Sequence, residues 1–215
     1  MTPEGWEQRF RREHLDPWAS RIYERDGSPV AVLFICRRGW TSRVGGMAVA
    51  PEARRIGLGR RVMRDAIEQT RARGDRTLLL EVIEQNTPAV KLYKSLGFRM
   101  TRRLVGYRWE PAGADSADAL REIDPLELAR MAQREGEPDL PWMLAPETLS
   151  AMTLPARAFA LEDRAYALIT NPQGETLSLA SLVVPRAHRQ QGWGTRMLRA
   201  LAAAHPGKPW QAVAI

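Results

Sequence analysis

The sequence has 215 residues but only one cysteine, Cys36, and three histidines, His14, His188 and His205. A single cysteine excludes an intrachain disulfide and any metal cluster built on thiolates. The three histidines have neither the spacing of metal ligands nor a paired acid, so no metal site is predicted. Cys36 is flanked by aliphatic residues and is interpreted as a small buried side chain rather than as a nucleophile.

The chain also lacks long apolar runs, since none approaches the roughly 20 residues that a membrane-spanning helix needs. The first ten residues carry Glu4, Glu7 and Arg9 where a secretory signal would have its apolar core. Together with the scarcity of cysteine, these absences predict a cytoplasmic protein with no membrane partner.

Lysine is scarce as well. The 32 basic residues include only Lys91, Lys94 and Lys208, so 32 − 3 = 29 of them are arginine, and the net charge is +7. A basic surface attracts polyanions such as nucleic acid, acidic proteins or a phosphorylated cofactor. The arginines are spread along the whole chain, which favours a compositional bias. Because no recognised nucleic-acid-binding motif occurs, nucleic acid is ranked last among the partners.

The strongest signal in the sequence is an internal repeat, in which residues 49–64 recur as residues 184–199. Arginine and glycine positions match at a constant offset of 135 residues, the pairs being Arg54 and Arg189, Gly57 and Gly192, Gly59 and Gly194, Arg61 and Arg196, and Arg64 and Arg199. We therefore predict two copies of one fold. Residues 1–110 form the first copy, residues 111–118 a linker of small, turn-forming residues, and residues 119–215 the second copy.

Periodicity and capping signals predict a mixed α/β sheet with helices packed on it. The predicted elements of the first copy are a helix over Gly5–His14, strands over Ser20–Glu24, Val30–Cys36 and Arg43–Val49, a helix over Gly59–Arg73, a strand over Thr77–Ile83 covered on both faces, a helix capped by Thr87 and ended by Gly97, and a strand over Phe98–Trp109. The second copy begins with a strand over Ala119–Ile123 and a helix over Pro125–Arg134 capped by Asp124.

The segment Arg54-x-x-Gly57-x-Gly59 follows a predicted strand and opens a predicted helix. Such a turn points free backbone N–H groups into the loop, with the positive end of the helix behind them. Glycine lets an anion approach these amides, and a diphosphate with arginines around it is the expected guest. A tight turn from strand to helix is the alternative explanation of the two glycines.

This segment resembles the signature of the GNAT acetyltransferase superfamily, Arg/Gln-x-x-Gly-x-Gly/Ala after the fourth strand. The resemblance continues in Leu80–Phe98, where Leu-Glu-Val, Asn86, Leu-Tyr and Gly-Phe follow the pattern of the branch that contains ribosomal-protein N-terminal acetyltransferases. It implies tandem GNAT-like acyl-CoA N-acyltransferase folds, with a mixed α/β sheet in each and an incomplete second copy.

The resemblance implies that acetyl-CoA is bound as a co-substrate, without a metal, by Met47, Ala48, Val49, Arg54, Arg55, Gly57, Leu58, Gly59, Arg60 and Asn86. Tyr93 matches the general acid that protonates the leaving thiolate, and Glu81 matches the base that removes the amine proton, directly or through water. Each residue has a structural alternative: core packing for Tyr93, a salt bridge to an arginine for Glu81, and a turn for Asn86.

The second copy keeps the loop of Arg189, Gly192 and Gly194, so a second CoA site is conceivable. Adding 135 to the numbers of Glu81, Asn86 and Tyr93 gives 216, 221 and 228, all past Ile215. A non-catalytic second copy is therefore predicted. Fewer residues precede the loop in the first copy than in the second, so we expect one copy to borrow sheet edges from the other or from a second subunit in a homodimer. A truncated gene is the alternative.

The predicted activity is transfer of an acetyl group from acetyl-CoA to a primary amine by direct attack. The acceptor is a small-molecule amine or a protein N-terminus. The alternatives to this activity are a non-catalytic CoA-responsive binding or regulatory module and, last, a nucleic-acid binder.

Overall fold

The computed structural model of the chain describes residues 3–111 and 118–212. Within them the chain folds as two units, Met1–Arg102 and Arg103–Ile215. The division falls ahead of the boundary at residue 110 that the sequence predicts. Most of the predicted linker, residues 112–117, lies outside the described residues, as do residues 213–215 at the end of the second copy.

The first unit is a four-stranded sheet with helices. Its elements are helix α1 (Pro3–Glu13), strands β1 (Leu15–Arg25), β2 (Ser28–Arg38) and β3 (Thr41–Val49), a short 3-10 turn (Pro51–Ala53), helix α2 (Leu58–Ala72), strand β4 (Thr77–Leu80) and helix α3 (Thr87–Ser95). The strands lie in the order β1-β2-β3-β4. The first three are antiparallel neighbours, and β4 is parallel to β3 because helix α2 connects the two.

One face of the first sheet is covered by helix α2. The sequence predicts an apolar stripe on this helix, and Val62, Met63 and Ala66 are indeed buried. They form one cluster with Leu33 and Ile35 of β2, which are buried completely. This burial holds the helix that begins at the glycine loop against the strands that precede it.

The second unit is a six-stranded sheet with helices, and it repeats the order of three strands, 3-10 turn, helix and strand found in the first. Its elements are strands β5 (Tyr107–Trp109) and β6 (Arg121–Ile123), helix α4 (Pro125–Glu135), a 3-10 turn (Trp142–Leu144), helix α5 (Pro146–Ser150), strands β7 (Arg157–Leu161), β8 (Ala165–Ile169) and β9 (Leu177–Val183), a 3-10 turn (Arg186–His188), helix α6 (Trp193–Ala204) and strand β10 (Trp210–Ala212). The strands lie in the order β5-β10-β9-β8-β7-β6. As predicted, Asp124 caps helix α4 with its side chain.

The prediction of one continuous strand over Phe98–Trp109 is wrong. Residues 98–106 form no regular element, and only β5 is a strand. It pairs antiparallel with β10 of the second unit, where the rings of Trp109 and Trp210 stack 5.6 Å apart. The period of a strand does not say which sheet it joins. Here the partly buried Trp109 packs against the core of the second unit.

The prediction of a strand over Thr77–Ile83 covered on both faces is also wrong, in its length and in its burial, since Thr77 and Leu79 are exposed. Strand β4 ends at Leu80, and the side chain of Ile83 is 74% exposed. An aliphatic run predicts a strand covered on both faces, but here its second half has left the sheet. The mixed α/β architecture predicted from the sequence is confirmed. Among the described residues no helix has the length and apolar character to cross a membrane.

Candidate active site

Strands β3 and β4 pair over only part of the length of β3. Parallel pairing joins residues 41–44 of β3 to residues 77–80 of β4. Beyond them, residues 46–49 of β3 pair with β2 on one side, and no described strand pairs with them on the other. Met47, Ala48 and Val49, which the sequence assigns to donor binding, lie on this half-open segment, where the described strands leave the side toward β4 unpaired.

A β-bulge at Gly45 marks the point where the two strands part. Phe34 pairs with Gly46 and Ile35 with Val44, which leaves Gly45 as the extra residue. A Cβ at this position would lie 2.6 Å from the sulfur of Cys36, so only glycine fits against β2. Bulges bend and twist a strand, and this one redirects β3 away from β4.

The loop after β3 has the backbone of an anion cradle. Arg54 donates from Nε to the carbonyl oxygen of Val49 at 2.9 Å, which ties the loop to the strand end. Arg55 and Gly57 have left-handed backbones, with φ of 63° and 87°. Helix α2 begins directly after Gly57, without a side-chain cap and without an acidic residue in its first turn. Its first N–H groups therefore keep the partial positive charge that favours an anion.

Helix α3 carries Tyr93 and begins at Asn86. The amide oxygen Oδ1 of Asn86 accepts a hydrogen bond from the backbone N–H of Ala89 at 3.3 Å. The prediction that Thr87 caps this helix is therefore wrong by one residue, because Asn86 satisfies the free amide and Thr87 is the first helical residue. Asn86 thus has the capping contact that its structural alternative requires.

The side chain of Tyr93, on helix α3, is half-buried. Its ring packs edge to face on Phe98, with centroids 6.0 Å apart. Burial raises the pKa of its phenol, so the hydroxyl is protonated at neutral pH. The side chain belongs to the same apolar cluster as Met47 and Leu80. Tyr93 therefore has the core packing of its structural alternative and also lies beside β3 and β4.

The strand, the loop and helix α3 meet at Gly59. A Cβ built there would lie 3.6 Å from Leu92 of α3, 3.7 Å from Met47 and 3.9 Å from Val49. Arg60 adds a hydrogen bond of 2.9 Å from Nη2 to the hydroxyl of Ser95 on α3. The half-open segment of β3, the first turn of α2 and the helix of Tyr93 are therefore adjacent.

Glu81 stands at the end of β4, directly after the last paired residue. Its carboxylate oxygen Oε2 lies 3.2 Å from Nη2 of Arg43, and its side chain is 32% exposed. Arg43, in contrast, is buried in β3 and also contacts the buried Glu13 of helix α1. The salt bridge considered as the alternative for Glu81 is present. A role as base is compatible with it, because an ion-paired carboxylate is still an acceptor.

Sequence reasoning did not find Arg43 and Glu13. An arginine at the start of a predicted strand is ordinary in a chain with 29 arginines. Glu13 lies at the end of a predicted helix, and nothing in the sequence indicates that this helix contacts the strands. The signal that was available is the position of Arg43 directly before the aliphatic and glycine run that leads into the loop.

The second unit repeats the loop with nearly the same backbone. Gln190 and Gly192 have φ of 58° and 84°, and Arg189 donates from Nε to the carbonyl oxygen of Val184 at 3.1 Å. Its charged surroundings differ. Nη1 of Arg189 pairs with Glu137 at 2.6 Å, and Glu135 accepts from the backbone of the same loop. The loop lines a cleft of about 690 Å³ with apolar walls that include residues 179–184 of β9.

Other chemistry-bearing groups do not form a second centre in the part of the chain that the structure describes. No group of three or more His, Cys, Asp or Glu side chains within it could hold a metal ion. Cys36 is buried, and burial raises the pKa of its thiol to about 11. A thiol with that pKa is not a nucleophile at neutral pH.

Comparison with known proteins finds similarity to acetyltransferases in the first unit. Residues 1–98 match the family model described as Acetyltransferase (GNAT) family. The chain is 35% identical over 117 residues to the catalytic subunit of the N-terminal acetyltransferase B complex of Schizosaccharomyces pombe, covering 49% of this chain and 64% of that protein. It is 46% identical over 82 residues to the [Ribosomal protein bS18]-alanine N-acetyltransferase of Salmonella typhimurium, covering 38% of this chain and 54% of that protein. The chain thus spans less than two thirds of either relative.

One solved structure is similar in fold to most of the chain. It is a tandem GNAT protein from the clavulanic acid biosynthesis pathway, solved without acetyl-CoA, with a TM-score of 0.59 and 21% identity over 92% of this chain and 75% of that one. At this identity the likeness concerns the fold. The predicted fold class, mixed α/β with tandem GNAT-like folds, is confirmed.

Proposed function

We propose that the first unit is an N-acetyltransferase that transfers the acetyl group of acetyl-CoA to a primary amine. The observation that carries the proposal is the junction at Gly59, where side chains of the half-open strand and of the helix of Tyr93 both lie within 4 Å of a Cβ built on the first turn of α2. The match of residues 1–98 to the acetyltransferase family and the N-acetyltransferase activity of both named relatives support it.

In this proposal the diphosphate of the donor binds at the loop. The first amides of helix α2, those of Leu58, Gly59 and Arg60, face it, and Arg54 and Arg55 add positive charge. The amide-rich arm of the donor then runs along Met47, Ala48 and Val49, whose backbone groups on the side of β4 are not used by the described strands. Asn86 contributes by fixing the start of helix α3.

The chemistry follows from the charges that must move. The amine nitrogen attacks the thioester carbon, the C–N bond forms, and the C–S bond breaks. Glu81 accepts the proton that the amine loses, directly or through water, and the phenol of Tyr93 gives its proton to the departing thiolate. A buried phenol that stays protonated suits the second step. A covalent enzyme intermediate is unnecessary, because an amine is already an adequate nucleophile.

The acceptor proposed is the α-amino group of a protein or peptide. The relatives that match the first unit are named for acetylation at N-termini or at an alanine of a ribosomal protein, and the Leu80–Val82 pattern follows the same branch. A small amine is the other acceptor class, and a panel of peptides and amines separates the two. The predicted homodimer remains a prediction.

The second unit is proposed to be non-catalytic and without a donor site. The positions that match Arg55 and Arg60 are Gln190 and Thr195, and Arg189 is neutralised by Glu137. The loop backbone therefore remains, but it carries fewer basic side chains for a diphosphate than the first loop does. This contrast supports assigning the donor to the first loop.

The test is release of free thiol from acetyl-CoA across peptide and amine acceptors, with Tyr93→Phe beside the native chain. Loss of the acid should lower kcat by about 10²-fold or more with unchanged affinity for CoA. Tyr107→Phe, at an exposed tyrosine of strand β5, is the matched control and should keep full activity. An unchanged rate in Tyr93→Phe would show that Tyr93 is not the general acid. Absence of thiol release with every acceptor would favour the alternative of a CoA-responsive binding module.

A further inference from the structure

Arg43 is a charged side chain in an apolar position. It lies on β3 among the last residues that pair with β4, and its side chain is only 9% exposed. Burying a guanidinium costs free energy unless it is paired and hydrogen-bonded. The neighbours of Arg43 should therefore explain why the site retains a charge.

Four side chains of alternating charge connect helix α1 to the end of β4. Arg9 donates from Nε to Oε1 of Glu13 at 2.7 Å, and the other oxygen of Glu13 accepts from Nη1 of Arg43 at 3.0 Å. The second Nη of Arg43 then donates to Glu81 at 3.2 Å. Arg9 also donates to the carbonyl oxygen of Gly45 at 2.9 Å, which connects this row of ion pairs to the β-bulge.

The two carboxylates that Arg43 bridges differ in burial. Glu13 is buried, whereas the side chain of Glu81 is 32% exposed and Glu81 begins residues 81–83, which belong to no strand. Among the described residues, Arg43 is the one basic side chain that pairs with the carboxylate of Glu81. Its planar fork holds one carboxylate on each Nη and so transmits the fixed position of Glu13 to Glu81.

We infer that Arg43 is a positioning residue that aims the carboxylate of Glu81 at the amine, with Glu13 as its buried anchor. This inference rests on the proposed function. A purely stabilising role explains less, because an apolar residue of similar size would avoid the desolvation cost, and because the buried Nε–H of Arg43 has no hydrogen-bonding partner among the described residues.

The experiment is a double-mutant cycle between Arg43→Lys and Glu81→Gln, followed by kcat and by KM for acetyl-CoA and acceptor. Lysine keeps the charge but cannot bridge two carboxylates as a fork. A misplaced base should lower kcat about tenfold. KM for acetyl-CoA should stay unchanged. In the Glu81→Gln background, Arg43→Lys should lower kcat no further, because the group that it positions is gone.

Matched variants separate positioning from folding. Arg37 also bridges two carboxylates, those of Asp16 and Asp75, and Arg37→Lys should leave kcat unchanged in both backgrounds. Glu13→Gln keeps Arg43 in place but weakens its anchor. This variant should show a smaller loss of kcat that again disappears with Glu81→Gln. Thermal melts identify any variant that has lost its fold.

Two results would overturn the inference, and they are distinguishable. If Arg43→Lys and Glu81→Gln multiply their effects, Arg43 acts independently of Glu81 and has only a structural role, while the proposed function stands. If Glu81→Gln leaves kcat unchanged, the base role in the proposed function fails first, and the positioning role fails with it.

Discussion

The left-handed glycine before helix α2 allows a sharp test of the donor site. Gly57 has φ of 87°, and a Cβ added there would meet no atom within 4 Å. Replacement by alanine therefore introduces no clash, only the cost of a left-handed backbone, which is about 1–2 kcal/mol for a residue with a side chain. If the free loop of the variant relaxes to relieve this strain, binding of CoA must restore the left-handed backbone. The Kd for CoA should then rise about 5- to 30-fold.

The second copy supplies the control for this experiment. Gly192 has φ of 84° and is equally free of neighbours, so Gly192→Ala carries the same backbone cost in the other unit. Calorimetry with CoA should show weaker binding for Gly57→Ala and native binding for Gly192→Ala, while both variants melt at lower temperature. Equal weakening by both replacements, or native binding and native melting in Gly57→Ala, would refute the assignment of the diphosphate to the first loop.

Two further predictions concern the scaffold that carries the site. Gly45→Ala should lower the free energy of unfolding by about 1–3 kcal/mol through overpacking, and Cys36→Ala should restore part of it by removing the sulfur 2.6 Å away, which denaturant titration of the double variant checks. The side chain of Asp75 is withdrawn from solvent, which by itself raises the pKa of its carboxyl, but hydrogen bonds from Arg37 and Ser42 outweigh this effect and lower the pKa. The stability that Asp75 contributes should thus be complete above its unfolded pKa and be lost as the pH falls below about 4, and Asp75→Asn should remove this part of the acid sensitivity in melts across pH.

Much of the fold is local and could be predicted from the sequence. The repeat at an offset of 135 residues corresponds to two loops with matching left-handed residues, and helix α2 buries the face that its periodicity predicts. These features depend on residues that are close in sequence. Glycines at positive φ and apolar positions at helical spacing are recognisable without knowledge of distant contacts.

The failures depend on contacts that are distant in sequence. The sequence predicts β5 as part of the first copy, because this strand directly follows the other elements of that copy. Its partner β10 is about a hundred residues away, and strand periodicity carries no information on the partner. The network of Arg43 has the same origin, since it joins Glu13 of α1, Arg43 of β3 and Glu81, which follows β4. Only the folded sheet makes these three residues neighbours.

The position of β5 sets a minimum length for the chain that follows it. Strands β5 and β6 occupy opposite edges of the six-stranded sheet, although only residues 110–120 separate them in sequence. Five strand spacings amount to about 24 Å, and eleven residues reach at most about 36–40 Å. Only a handful of these residues could therefore be removed before one of the two edge strands is pulled out of the sheet. A cut between β5 and β6 would leave β5 on one fragment, paired with β10 of the other.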